Sequence, residues 1–387
     1  MKYSLNYVLI MVLMGLPGLS PEAVAMDPHY RMEDFYNVPK VDTHMHLHST
    51  RPDFMQAAVR ARFKVLSINV DYADFPPIDD QQRTAEILLG EFPQAFAYAA
   101  TFSVKGYDQP GWSDAVIARI DAAVKKGAVA VKVWKNVGME LRDRNGAMVM
   151  IDDPHFRPIF DYLEKNQIPL LGHQGEPKNC WLPLDKMTVS NDRDYFAAHP
   201  QYHMYLHPDM PSYEDQMRAR NSMLDQHPKL QFVGLHMASL EWSVDELARF
   251  LDRYPNANID LAARIGQLQY QSNRHYEKVR RFLIKYQDRI MYATDLEQDP
   301  DSATGNDYQK LTACDQNPTC KADGEFAKEA LQTWLRDWRY FNTTATITVP
   351  ELARPVKGLA LPKSVVDKIY SQNAQRIFPG AWGKSSQ

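Results

Sequence analysis

Two histidines spaced i, i+2, His44 and His46, lie in the run VDTHMHLH, just behind a short apolar stretch that opens at Val38. Side chains alternate along a strand, so this spacing puts both imidazoles on one face. Paired neutral imidazoles are half of a site for a divalent cation such as Zn²⁺. Other apolar runs also end in a polar side chain: Lys132 in AVAVKVW, His173 in IPLLGH, His236 in LQFVGLH and Asp295 in RIMYATD. A polar group at the end of a buried run is costly unless it is paired or metallated. His44 and His46 with a further strand-end histidine, His173 or His236, and Asp295 make a set of three nitrogens and one oxygen suited to Zn²⁺ or a similar ion.

These residues can meet only if the elements bearing them converge. From about residue 31 the chain alternates short β-rich runs with longer helical patterns. Strands are expected at 40–44, 63–70, 95–102, 128–134, 168–173, 230–236, 257–262 and 289–295. Helices are expected at 52–62, 79–91, 113–126, 155–166, 213–226, 244–254, 273–286 and 362–376, the last opened by Pro362. Such alternation implies parallel strands with right-handed crossovers, and about eight repeats close a TIM-like (β/α)8 barrel. An open doubly wound sheet is the competing α/β reading, but no Gly-rich phosphate loop follows the first strand. In a barrel the strand C-termini build the active site, so the polar residues above share one rim.

The chain resembles the amidohydrolase superfamily, specifically its amidohydrolase-2 branch, which includes hydrolases and enzymes like aminocarboxymuconate-semialdehyde decarboxylase. The resemblance is carried by VDTHMH, LLGHQGEP, FVGLHMASLEW, YATD and IYSQNAQRIF, and spans roughly Val38 to Phe378. It implies that His44, His46, His173 and Asp295 hold metal, and that His236 is a further ligand or an acid/base. It also implies that Lys132 bridges two ions if carboxylated. Otherwise Lys132 is a simple buried cation beside Asp295 or an anionic substrate. Metal-dependent hydrolysis is then the expected activity, with Asp295 shuttling the proton of an activated water and His236 polarising the scissile carbonyl. Non-oxidative decarboxylation of a carboxylic acid is the alternative, and an inactive binding protein on the same fold is a third. Trp134, Glu176 and Arg264 are the candidate substrate contacts, Arg264 as a carboxylate clamp. His48 falls one step further out, at the rim. His199, His203 and His207 sit in a Pro-broken excursion, Gln174 to Pro211, that reads as an irregular lid.

Composition sets the frame for this chemistry. The 387 residues are 44% hydrophobic and 24% charged, with net charge −4, so the chain is an ordinary globular one. No basic run offers a nucleic-acid surface, and the partner expected is a small-molecule substrate. Residues 1–25 read as a signal peptide, with Lys2, an apolar run from Tyr7 to Leu19 and Ala23-Val24-Ala25. An exported, periplasmic or secreted protein is expected, with no membrane span in the mature form and a homo-oligomer left open. A single domain spans 31–380, with residues 296–361 as a folded insertion that includes a helix near Phe326 to Phe341. Of the three cysteines, Cys314 and Cys320 flank a turn-rich stretch and are the expected disulfide, leaving Cys180 as a small packed thiol.

Overall fold

The computed structural model describes residues 28–300 and 323–383. The expected signal peptide and the Cys314–Cys320 pair lie outside the described residues. Nine strands form one sheet: β1 (Lys40–Leu47), β2 (Phe63–Ile68), β3 (Phe96–Thr101), β4 (Ala128–Val133), β5 (Leu170–Gly172), β6 (Phe232–Gly234), β7 (Ala257–Asp260), β8 (Ile290–Met291) and β9 (Leu296–Gln298). Each pairs in parallel with the next through β8, and β9 pairs with the free side of β1. Between them Thr43 N donates to Tyr292 O (3.1 Å) and Asp295 N to His44 O (2.8 Å). The chain from 290 to 298 is therefore one broken stave, bonded to β7 at its start and to β1 beyond, and it closes the expected (β/α)8 barrel. Leu296–Gln298, expected to begin the insertion, belongs to this closure, and the chain leaves the barrel after Gln298.

The principal helices are α1 (Asp53–Arg60), α2 (Ile78–Glu91), α3 (Trp112–Lys125), α4 (Arg157–Asn166), α5 (Ser190–Ala198), α6 (Tyr213–Gln226), α7 (Val244–Arg253), α8 (Ile265–Lys285) and α9 (Asp323–Asn342). The helix expected at 273–286 starts eight residues earlier, at Ile265. Its first turns bury Gln267, Gln269 and Ser272 beside Ile265 and Leu268, and polar residues on a buried face blur the apolar period. The last helical run, 363–377, contains a π turn at Lys368–Gln372, where the Ile369 carbonyl accepts from Tyr292 N (2.9 Å). Diverting that carbonyl to the barrel wall fits an interrupted α ladder. Among the described residues no helix is long and apolar enough to cross a membrane.

Two apolar layers hold the barrel. Inside, Val41, Leu66, Ile68, Ala97, Ala99, Ala130, Leu171, Val233 and Met291 pack with Ile377, Phe378 and Trp382. Trp382 Nε1 donates to Val65 O (3.0 Å) near the start of β2, so the C-terminal segment plugs the N-terminal end. Outside, alternate strand residues pack under the helices. Strand β1 changes parity on the way. Its register against β2 slips between Asp42 and Met45, a bulge in which the Asp42 carboxylate accepts His44 N (3.3 Å). Below the bulge Val41 faces in, and above it His44 and His46 face in while Met45 and Leu47 face out.

Candidate metal centre

His44 and His46 emerge at the C-terminal end of the barrel opposite Asp295. His44 Nε2 lies 3.1 Å and His46 Nε2 3.3 Å from Asp295 Oδ1. His236 Nδ1 lies 3.8 Å from Asp295 Oδ2. Among the described residues His44, His236 and Asp295 form a set of three whose potential ligand atoms all lie within 4.8 Å of one another. The His173 ring lies tilted against His236 at 4.1 Å between centroids, outside that set. Lys132 points inward from β4 and its Nζ sits 3.3 Å from His44 Nε2.

The second ring nitrogens fix the tautomers. His44 Nδ1 faces Asp260 Oδ2 at 2.8 Å, His46 Nδ1 faces Ile68 O at 2.6 Å, and His236 Nδ1 faces Ala262 O at 3.1 Å. A carbonyl or carboxylate oxygen can only accept, so each Nδ1 carries the proton and each Nε2 keeps a lone pair. Burial, above all else, pulls all four imidazoles below their ordinary value, His236 to about 3, so they are neutral at pH 7. Burial by itself would raise Asp295, and charge on His44, His236 or His46 would pull it down, so the carboxyl and the imidazoles titrate together as one cluster. Two nitrogen lone pairs therefore face one carboxylate oxygen, and both His173 nitrogens are buried without a hydrogen bond. That donor set fits a divalent cation, which would turn mutual repulsion into coordination.

The other expected contacts divide. Trp134 lies in an apolar wall with Val70, Tyr72 and Phe75, and the Phe75 ring is 5.0 Å from His46 and 4.6 Å from His48. Glu176 is buried against the Lys135 ammonium. Arg264 Nη1 stands 4.0 Å from Asp192 Oδ1. Burial works against the Arg264 charge, and Asp192, Glu241, Glu176 and Asp295 outweigh it. The excursion after β5, expected as an irregular lid, is a run of short 3₁₀ turns and α5 around Cys180, Met187, Phe196 and Met204. Cys180 is a free, fully buried thiol whose Sγ donates to Tyr202 O (3.1 Å). His199, His203 and His207 each bond a lid carbonyl, those of Tyr195, Leu182 and Pro200, at 2.8–2.9 Å. They stitch the lid and do not gather around an ion.

The sequence model of the amidohydrolase family matches residues 41–380. The chain belongs to the amidohydrolase family. No curated protein matches it. Among solved structures it is similar to 2,6-dihydroxybenzoate decarboxylase from Rhizobium, at 15% identity over 88% of this chain and 99% of that one, with a TM-score of 0.47. It is also similar to 5-carboxyvanillate decarboxylase from Novosphingobium aromaticivorans with bound manganese (13% identity, 89% and 98% covered, TM-score 0.42). A third is 4-oxalomesaconate hydratase from Rhodopseudomonas palustris (13%, 88% and 96% covered, TM-score 0.40).

Sequence reasoning missed one residue at the heart of this amidohydrolase, Asp260. It ends β7, is fully buried, and accepts from both His44 Nδ1 and His236 N, the latter at 2.6 Å. The rule used for the other strands, to take the last polar residue of a buried run, would have found it in ANID. Burial lifts its carboxyl to about 6 against the stabilising pull of His236. The backbone of the site was also not legible. His236, Met237, Ala238 and Ser239 all have φ between 54° and 58°, and Asp295 has φ 69°. Left-handed backbone costs a residue with a side chain roughly 1 kcal/mol, so a run of four persists only if neighbours hold it.

Proposed function

We propose that this amidohydrolase is a metal-dependent hydrolase acting on a small organic substrate, with zinc as its ion. The observation that supports the reading is the donor set: imidazole Nε2 lone pairs, each fixed by an Nδ1–H bond, facing the Asp295 carboxylate. His44, His46 and Asp295 would hold the ion, with His236 in the set that gathers on Asp295 and His173 beside His236. When bound, a divalent cation supplies Lewis acidity toward a carbonyl oxygen and makes water a stronger acid. The remaining work falls to the chain. Asp295 is ionised and 26% of its side chain is exposed, so it can take a proton from the attacking water and pass it to the leaving group. His236 spends its Nδ1–H on Ala262 O, which suits it to a lone-pair role, as ligand or base, better than to donating toward an oxyanion. Burial brings the Lys132 ammonium down to about 8, against Asp295 and Asp260. A usable fraction of neutral amine, which carboxylation requires, is then present near neutral pH.

The decarboxylase reading keeps one specific support, the aromatic wall of Tyr72, Phe75 and Trp134 beside His46, which suits a flat ring. Against it, Arg264 already faces Asp192 and Glu241, so little of its charge is left for a substrate carboxylate. Elemental analysis and turnover of an ester, lactone and amide panel test the proposal. At least one zinc per chain is expected, with hydrolysis lost on chelation and restored by Zn²⁺. Asp295→Asn should lower turnover roughly 10²–10⁴-fold. Carbon dioxide release from aromatic carboxylic acids without hydrolysis would replace this reading with the decarboxylase. A protein that takes up no divalent ion would overturn both.

A further inference from the structure

The left-handed turn that carries His236 is gripped from behind by one face of α6. The Arg220 guanidinium donates to the Ala238 carbonyl, and the Tyr213 hydroxyl donates to the Ser239 carbonyl at 2.6 Å. Tyr213 and Arg220 are seven residues apart on that helix, two turns, so they stand on the same face. Both side chains are themselves fixed. Arg220 is 2% exposed, stacks 4.4 Å over the Phe250 ring, and donates its remaining bonds to Asn221 Oδ1. Tyr213 OH accepts from Trp242 Nε1 at 2.8 Å. The recorded side-chain bonds of Arg220 go to Asn221 Oδ1 and Ala238 O, neither of them a carboxylate.

The turn is held at its other side too. Asp260 accepts His236 N, and Ser239 Oγ donates to Gln174 O at 2.9 Å. Asp260 reads the start of the turn and also orients His44, while Arg220 and Tyr213 read its end. A buried cation bonded to a strained backbone carbonyl is a costly way to stabilise a surface helix, and a hydrophobic residue would serve packing against Phe250 as well. Its geometric consequence is specific: together with Tyr213 it fixes the peptide planes after Ala238 and Ser239, the far end of the left-handed turn that begins at His236.

We propose that Arg220 and Tyr213 are positioning residues that, by holding the left-handed turn, keep the His236 ring in place beside Asp295 with its Nδ1–H on Ala262 O. The inference rests on the reading of His236 as a member of that centre. Its test is made on the full chain with ¹⁵N-labelled histidine, by long-range ¹H–¹⁵N spectra of the metal-free protein. His236 is assigned by its loss in His236→Gln. Zinc affinity by chelator competition and thermal melting are measured alongside.

In the parent chain His236 should show a single Nδ1–H tautomer. Arg220→Met keeps the stack on Phe250 but removes the donors, and should give averaged ring-nitrogen shifts and about tenfold weaker zinc binding. Tyr213→Phe should do the same more mildly, and Arg220→Lys, which can still reach the carbonyl, should restore the shifts. Unchanged His236 shifts in both Arg220→Met and Tyr213→Phe, whatever their melting temperatures, would overturn the proposal. If Arg220→Met does not fold, Arg220→Lys and Tyr213→Phe decide it on the same shifts. Failure of the parent chain to bind zinc would count against the functional reading alone, because the ring-nitrogen shifts are read without metal.

Discussion

At the scale of single residues, the centre is organised by what sits behind the imidazoles. Asp260 serves two of them at once, through His44 Nδ1 and the His236 amide. Asparagine would keep one acceptor and set an NH₂ donor against the other N–H. If that donor meets His44, the ring must move its proton to Nε2 and can no longer offer a lone pair there. Asp260→Asn is therefore expected to weaken zinc binding about 10- to 100-fold while the fold persists. Competition with a chromophoric chelator checks the affinity, and unchanged affinity would show that Asp260 does not set the His44 tautomer. His173 was readable as a strand-end residue. Its partnerless nitrogens were not, because what surrounds a side chain depends on strands distant in sequence.

At the scale of elements, β6 must let the turn fold back on it. A Cβ on Gly234 would stand 2.4 Å from Ala238 Cβ and 3.0 Å from Ala238 Cα, so the turn closes over a bare α-carbon. Gly234 itself has φ −73°, which any residue accepts, so close approach alone selects glycine here. Gly234→Ala should cost about 1–3 kcal/mol of stability, the usual cost of overpacking, and loosen zinc binding as Ala238 is pushed away. Gly266→Ala, where the nearest atom lies 3.7 Å away, is the control and should melt like the parent. Equal melting of the two variants would remove the close-packed turn as a determinant. Strand positions and most helix positions were legible because burial imposes period on sequence. Where polar residues are buried for a purpose, as at Gln267 and Gln269 in α8, the period fails and the helix start was misplaced.

At the scale of the molecule, the first and last strands meet under α9. Trp334 stacks on Phe63 at 4.0 Å and donates to Asp42 Oδ2 (2.9 Å), and Tyr292 OH donates to Asp337 Oδ2 (2.9 Å). Asp337 is buried, and burial lifts its carboxyl to about 6, only partly offset by Arg336 and Tyr292. The unfolded carboxyl titrates near its usual ~3.9. Between about pH 4 and pH 6 the folded chain therefore binds more protons at this site than the unfolded one. The Asp337 contribution to stability falls as pH rises through that window and is flat above it. Asp337→Asn removes the dependence and can still accept from Tyr292. The melting temperature of the variant minus that of the parent should rise from pH 4 to pH 6 and then level off. A difference that is flat or falling over that range would contradict the assignment.

The sequence by itself determined the barrel, most of its strands and the polar side chains that stand at their ends, His44, His46, His173, His236 and Asp295. It could do so because parallel strands buried on both sides must be apolar, and any polar residue at their ends stands out against that background. Tertiary structure alone decided the rest. The β1 bulge, which swings the His pair inward above Val41, comes from a register slip against β2. The Nδ1 partners Asp260 and Ile68 are supplied by other strands and Ala262 by the segment just after β7. The left-handed turn at His236 is held by Arg220 and Tyr213 from a helix earlier in the chain. Each of these is a contact between residues far apart in sequence. Local pattern records how deeply a side chain is buried, but not which neighbour it meets there.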